Sequence, residues 1–174
     1  MIIKLLYFFA YNVFFFCLPT YGTSNMRIGN EKTYKPDGNV RLQTSIMLME
    51  NNWQYFKGSW YKFFDIEMYW DEASEFCKQF DGYLASIDSQ RENDFVDKLR
   101  KRNDIWIGFT KPRNGYYQWS DKSDVNFVNW GPTQPNEPDV DCTIMAYSKD
   151  DTGKWHDYSC NAKLPQYFVC KTKI

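Results

Sequence analysis

The sequence predicts an α+β domain that follows an apolar leader and a polar extension. Three observations point to this fold class: two amphipathic helical segments, several short strand-like runs after them, and a long irregular stretch over residues 120–139 that interrupts those runs. Aromatic residues make up 20% of the 174 residues, which is enough to build a core. The formal net charge of −1 excludes the strongly basic surface that binds nucleic acid.

Residues 1–22 have the features of a secretory signal peptide. Lys4 supplies the positive start, Leu5 to Leu18 is an almost unbroken apolar run, and Thr20-Tyr21-Gly22 ends on a small residue. The apolar run is shorter than the about 20 residues that span a membrane, so we expect cleavage, with an uncleaved signal anchor as the alternative. We therefore expect a secreted, extracellular protein with no membrane span after signal removal.

The cysteine count also indicates secretion. Removal of the leader takes away Cys17 and leaves an even number of cysteines, which in an oxidising compartment predicts two disulfides. The four that remain are Cys77, Cys142, Cys160 and Cys170. Four cysteines allow three pairings, and their spacing alone does not choose among them.

Residues 23–52 form a polar segment that we interpret as a loose N-terminal extension. It contains a Lys-Pro-Asp-Gly turn at 35–38 and ends in an apolar cluster at residues 46–49. A short oligomerising neck is the alternative, although no sustained heptad supports it, and the oligomeric state stays open. The globular domain is predicted to begin at Trp53 and to continue to residue 174.

The first part of this domain predicts a strand and a helix. Ser59 to Phe64 is aromatic and strand-like. Trp70 to Phe80 is helical because its apolar residues recur every three or four positions and form one buried face. These residues are Ala73, Phe76, Cys77 and Phe80. Gly82 is predicted to supply the left-handed residue that stops the helix.

A second helix is predicted after Ser89, which begins a capping-box pattern with Glu92. Phe95, Val96 and Leu99 face inward behind it. The basic run Arg100-Lys101-Arg102 is interpreted as a solvated cap at the end of this helix.

The remainder predicts short strands. Ile105 to Phe109 has the pattern of a buried strand, and Asn114-Gly115 predicts a hairpin turn. Cys142 to Tyr147, Lys154 to Asp157 and Tyr167 to Cys170 are the other strand-like runs. The irregular stretch before Cys142 is long for a compact domain, and such loops commonly carry function.

Several short motifs follow one another between about Trp60 and Lys171. They are Trp70-x-x-Ala73-x-x-x-Cys77, Leu84-Ala85-Ser86-Ile87, Trp106-Ile107-Gly108-Phe109, Gln134-Pro135-Asn136 and Trp155-His156-Asp157, with the four cysteines between and after them. The ordered set resembles a C-type lectin domain of the short form. That resemblance implies two helices with small antiparallel sheets, a long loop region and two disulfides, Cys77–Cys170 and Cys142–Cys160.

The resemblance also implies a site for a calcium ion (Ca2+) and a sugar. By position, Gln134, Asn136 and Asp157 would coordinate the ion and bind sugar hydroxyls, with Pro135 in a cis peptide bond. Asp139, or Glu137 as the alternative, would supply a further ligand in place of the glutamate that the family has at Val140. Calcium takes about 6–8 oxygen ligands. The amides bring no charge, so Asp157 and Asp139 would supply the negative charge of the site.

Two departures from the family pattern leave calcium binding open. His156 stands where the family has asparagine, and Val140 where it has glutamate. Our leading hypothesis is a secreted, calcium-dependent lectin that recognises glycans or glycoproteins, in innate recognition or host interaction. The alternative is a calcium-independent, protein-binding C-type lectin-like module. The sequence has no nucleophile–base constellation of an enzyme, and the hybrid Gln-Pro-Asn motif does not indicate a sugar preference.

Overall fold

The computed structural model describes residues 38–112, 115–161 and 164–174. The predicted signal peptide, the first part of the extension and Asn114 of the predicted hairpin turn lie outside these residues. The helices are α1 (Gly38–Glu50), α2 (Trp70–Lys78) and α3 (Gln90–Leu99). The strands are β1 (Gln54–Phe56), β2 (Ser59–Met68), β3 (Gly82–Leu84), β4 (Ile105–Thr110), β5 (Gln118–Trp119), β6 (Cys142–Met145), β7 (Trp155–Tyr158) and β8 (Gln166–Thr172). The predicted α+β class is confirmed.

The strands in the described ranges join into one sheet with the order β1-β2-β8-β4-β6-β7. Strands β3 and β5 pair with β8 and β4 outside this order. The pairing is antiparallel except between β4 and β8, which are parallel, so the sheet is mixed rather than a set of small antiparallel sheets. Residues 105–109 are buried throughout, because β4 lies in the middle of the sheet, and this explains its unbroken apolar run.

Helix α2 packs on β8 through the predicted face. Ala73 and Cys77 are fully buried, whereas Phe80 is 37% exposed beyond the end of the helix. The predicted left-handed stop at Gly82 is wrong, because Asp81 takes the positive φ of 51°. Gly82 instead begins β3, where a Cβ atom would lie 2.6 Å from the carbonyl oxygen of Lys171. Glycine is therefore required there by close packing between strands.

Helix α3 begins as predicted at Ser89, whose Oγ accepts the N–H of Glu92 at 3.4 Å. The Glu92 side chain does not complete the capping box, since it accepts the N–H of Asp88 at 2.9 Å. The interpretation of Arg100 as a solvated residue is wrong. Its side chain is fully buried and donates to Asp97 Oδ1 at 2.7 Å and to the carbonyl of Asn103 at 2.5 Å.

The disulfides are Cys77–Cys170 and Cys142–Cys160, the pairing that the resemblance implies. The first joins α2 to the central strand β8 and lies inside the hydrophobic core. The second joins the start of β6 to the turn after β7. It therefore holds the C-terminal end of the long irregular loop beside the end of β7.

The extension is less loose than the sequence indicates, because residues 38–50 form α1. The helix contacts the domain through Leu48, whose carbonyl accepts the N–H of Trp53 at 2.9 Å. Leu42, Ile46 and Met49 are exposed. No helix in the described residues has both the length and the apolar character needed to cross a membrane.

Candidate functional site

The candidate site is built on residues 131–141, which we call the ligand loop. The loop enters beside β7, where the N–H of Gly131 donates to the carbonyl of Trp155 at 2.9 Å. The N–H of Gln134 donates in turn to the carbonyl of Gly131 at 3.1 Å. The Gln134–Pro135 peptide bond is cis, as the resemblance implies.

Asp157 on β7 holds the middle of the ligand loop. Its carboxylate is buried, with the residue 4% exposed. Oδ1 accepts the N–H of Asn136 at 3.1 Å, and Oδ2 accepts the N–H of Glu137 at 2.8 Å. The N–H of Asp157 itself donates to Gln134 Oε1 at 3.3 Å. The structure thus brings Gln134, Asn136 and Asp157 together, but through hydrogen bonds within the protein.

The end of β4 holds the other side of the ligand loop. Thr110 Oγ1 and the N–H of Lys111 each donate to the carbonyl of Asp141 at 2.7 Å. Further along its side chain, Lys111 Nζ donates to the carbonyl of Pro138 at 3.0 Å. This ammonium also lies 5.8 Å from the ring centroid of Tyr117. Lys111 was not predicted from the sequence, because nothing in the local sequence connects it with a residue 27 positions later in the chain.

A cavity of about 330 Å³ opens between the ligand loop and these residues. Its lining consists of Lys111, Tyr117, Pro135, Asn136, Glu137 and Pro138. The volume is at the lower end for pockets that hold small molecules. The Tyr117 hydroxyl is buried and has no hydrogen-bond partner among the described residues. Burial first, and then the negative charges of Asp157 and Asp141, raise the pKa of Tyr117 to about 12, so its hydroxyl keeps its proton at neutral pH.

His156 does not take part in the ligand loop contacts given above. Its Nε2 lies 3.0 Å from Asp151 Oδ2 and packs against Gly131, where a Cβ atom would approach that nitrogen to 2.8 Å. Neighbouring side chains on β7 point to opposite faces, so Asp157 and His156 belong to different environments. The carboxylate beside the His156 ring therefore comes from Asp151, five positions earlier in the chain.

The residues present do not fit a calcium ion well. Both carboxylate oxygens of Asp157 and the side-chain oxygen of Gln134 already accept backbone N–H groups. Val140 offers no side-chain donor, and Asp139 is exposed on the loop. In the described ranges, no group of three or more His, Cys, Asp or Glu side chains converges in a way that could hold a metal. Calcium requires several oxygens that are free to coordinate it.

Comparisons with known proteins agree with this fold. A family model described as "Lectin C-type domain" matches residues 66–172, more than half of the chain. The chain is 32% identical over 131 residues to the alpha-N-acetylgalactosamine-specific lectin of Patiria pectinifera, covering 68% of this chain and 77% of that lectin. It is 34% identical over 128 residues to the C-type mannose receptor 2 of Rattus norvegicus, covering 68% of this chain but 8% of that longer protein.

A solved structure described as a calcium-independent type II antifreeze protein has a TM-score of 0.64. It is 27% identical in sequence, and the match covers 70% of this chain and 91% of that one. The family match, the two disulfides and the ordered motifs lead to one conclusion. The chain belongs to the C-type lectin family, and its lectin domain is a non-enzymatic binding domain.

Proposed function

We propose that this chain binds glycans at the exposed side of the ligand loop and does so without a calcium ion. The observation that carries the proposal is that the Asp157 carboxylate binds the backbone of the ligand loop. Its two oxygens hold the N–H groups of Asn136 and Glu137, so that a buried protein carboxylate closes the loop. A loop held in this way does not need a metal to keep its shape.

The chemistry of the cavity suits sugar hydroxyls. The exposed Asn136 amide both donates and accepts hydrogen bonds, and the Glu137 carboxylate accepts them. Pro135 and Pro138 add apolar surface for the C–H groups of a sugar ring. The name of the Patiria pectinifera relative, an alpha-N-acetylgalactosamine-specific lectin, supports a glycan as the ligand class.

Calcium-dependent binding, the expectation from the family, is the second candidate. One observation favours it: Gln134 Oε1 and the main chain of Asp157 lie next to each other, with the Asp157 N–H 3.3 Å from that oxygen. The ion would have to displace the N–H groups that now occupy the Asp157 oxygens. The protein-binding alternative is one outcome of the glycan-array experiment described below.

We also propose that the protein is secreted. Two disulfides form in the domain, and disulfides persist in oxidising compartments. This agrees with the signal peptide predicted over residues 1–22. Mass spectrometry of the protein recovered from the medium of cells that express the full chain would test both secretion and cleavage. A cleaved leader would leave a new N-terminus near residue 23.

Glycan-array binding in the presence of EDTA, compared with millimolar calcium, tests the function. We expect the same glycans to bind under both conditions. Asn136→Ala removes an exposed amide from the cavity rim and should weaken binding about tenfold or more, by about 1.4 kcal/mol. Asn126→Ala, an exposed asparagine outside the ligand loop, is the matched control and should bind normally.

Two outcomes would contradict the proposal. Binding that disappears in EDTA and returns with calcium would establish the calcium-dependent candidate. A correctly folded domain that binds no glycan under either condition would leave the protein-binding alternative in its place.

A further inference from the structure

Lys111 reaches the ligand loop because of the sheet topology. Strands β4 and β6 pair with Thr110 opposite Cys142, so the residue after β4 lies beside the residues that precede β6. The backbone of Lys111 is anchored on Asp141, and its side chain extends along the loop to Pro138. The two contacts join β4 to both the end and the middle of the loop.

The ligand loop itself contains acidic residues and no basic residue. The ligand loop carries Glu137, Asp139 and Asp141, and Asp157 lies beneath it. Within the described part of the chain, Lys111 is the one cationic residue among those that line the cavity. The hydrogen bond from its charged donor to the Pro138 carbonyl is stronger than one between neutral groups.

We propose that Lys111 is the resident cation of the ligand loop. Its ammonium binds the Pro138 carbonyl on one side while Asp157 binds the Asn136 and Glu137 N–H groups on the other, and together they close the loop without a metal. The inference rests on the proposed function for its biological meaning, since the closed loop is what would present Asn136 and Glu137 to a glycan. The closure itself is a property of the free protein.

Hydrogen exchange on the ligand-free protein in EDTA tests this role. In Lys111→Met, the amides of Asn136 and Glu137 should exchange on the order of tenfold faster than in the wild type. Lys111→Arg retains the charge and should restore most of the protection. Lys149→Met, which removes an exposed lysine outside the loop, is the matched control and should leave these amides unchanged.

Calcium provides the second arm of this experiment. We expect millimolar calcium to leave the wild-type exchange rates of the loop amides unchanged. The inference is overturned if calcium slows these amides in the wild type, or if Lys111→Met exchanges like the wild type. Because no glycan is present, this result is independent of the glycan array, and either proposal can fail while the other stands.

Discussion

Lys171 and Lys111 each join segments that are far apart in the sequence, one inside the fold and the other at its surface. The Lys171 side chain on β8 is 12% exposed and its ammonium donates to Glu92 Oε1 at 2.7 Å and to the carbonyl of Ser86 at 2.9 Å. Lys111 is half-buried. Its ammonium binds the Pro138 carbonyl and lies over the Tyr117 ring. The first lysine neutralises a buried acid, whereas the second holds a loop.

The carboxylates in the two regions, Glu92 and Asp157, also differ in what they bind. Glu92 accepts the Tyr61 hydroxyl, the Lys171 ammonium and the Asp88 N–H, so the network joins α3 to β2 and β8. Burial, and then the hydrogen bond to Glu92, raise the pKa of the Tyr61 phenol far above its ordinary value. Asp157 holds N–H groups of the ligand loop. We infer that the Lys171 network stabilises the fold, while the contacts of the ligand loop determine the shape of one surface.

The largest expected difference between the two regions is the loss of stability when the disulfide of each is removed. Cys77–Cys170 lies beside Lys171 and closes a separation of 93 residues, whereas Cys142–Cys160 flanks the ligand loop and closes 18. On chain entropy, Cys77→Ser with Cys170→Ser should lower the free energy of unfolding by about 4.7 kcal/mol, against about 3 kcal/mol for Cys142→Ser with Cys160→Ser. Urea denaturation of both double variants measures the difference. Equal losses, or a larger loss for the short loop, would contradict the comparison.

Lys171→Met should have the next largest effect on stability. It leaves the Glu92 carboxylate buried without its cation, and we expect a loss of about 3 kcal/mol in urea unfolding with both disulfides intact. Lys111→Met should cost about 1.4 kcal/mol, the free energy that corresponds to the tenfold faster exchange of the loop amides, because its hydrogen bond is partly exposed. The exposed Lys173 provides a matched control, since Lys173→Met should change stability by less than about 0.5 kcal/mol. Similar losses for Lys171→Met and Lys111→Met would remove the distinction between the two lysines.

Asp157→Asn should loosen the ligand loop more than it destabilises the domain. An asparagine side chain has one accepting oxygen and would direct an NH₂ group at one of the two backbone donors, at a cost of about 2 kcal/mol. We expect the Asn136 and Glu137 amides to exchange about 30-fold faster. Asp151→Asn alters the carboxylate that contacts His156 and should leave these amides protected. A uniform increase in exchange across the whole sheet would place Asp157 with the residues that stabilise the fold.

The smallest expected effect is on how the stability of the protein depends on pH, through Asp121 beside the Lys171 network. Burial would raise the pKa of Asp121, but hydrogen bonds from Ser123 and Ser86 outweigh it and hold the pKa below its ordinary value of 3.8. A carboxyl group with a lowered pKa in the folded state stabilises the protein fully above its unfolded pKa. That stabilisation is lost as the pH falls through the lower, folded value.

Melting temperatures measured against pH test this assignment. Asp121→Asn should therefore show a smaller fall in melting temperature than the wild type as the pH decreases below about 4. Asp124→Asn, an exposed neighbour, is the control and should follow the wild-type curve. If the Asp121→Asn curve runs parallel to that of the wild type, Asp121 contributes nothing to acid sensitivity.

The local patterns of the sequence predicted much of the fold. Helix α2 and strand β4 were predicted from apolar spacing, because that spacing records which face of an element is buried. The order of short motifs and the four cysteines indicated the C-type lectin family, and the resemblance to that family implied the disulfide pairing. The sequence also predicted that Gln134, Asn136 and Asp157 lie together, and the geometry agrees.

Other features depended on contacts between distant segments. Asp81 rather than Gly82 takes the left-handed conformation, because the close approach of β8 requires glycine in the strand. Arg100 is buried because Asp97 and the carbonyl of Asn103 surround it.

The sequence by itself determined the family, the two disulfides and the set of side chains on the ligand loop. The tertiary structure alone decided what those side chains contact: Asp157 binds backbone N–H groups, and Lys111, 27 positions before Pro138, supplies the cation. The physical reason is that strand register and sheet order bring these groups within hydrogen-bonding distance. Neither of these is encoded in the residues near Lys111 or near the loop.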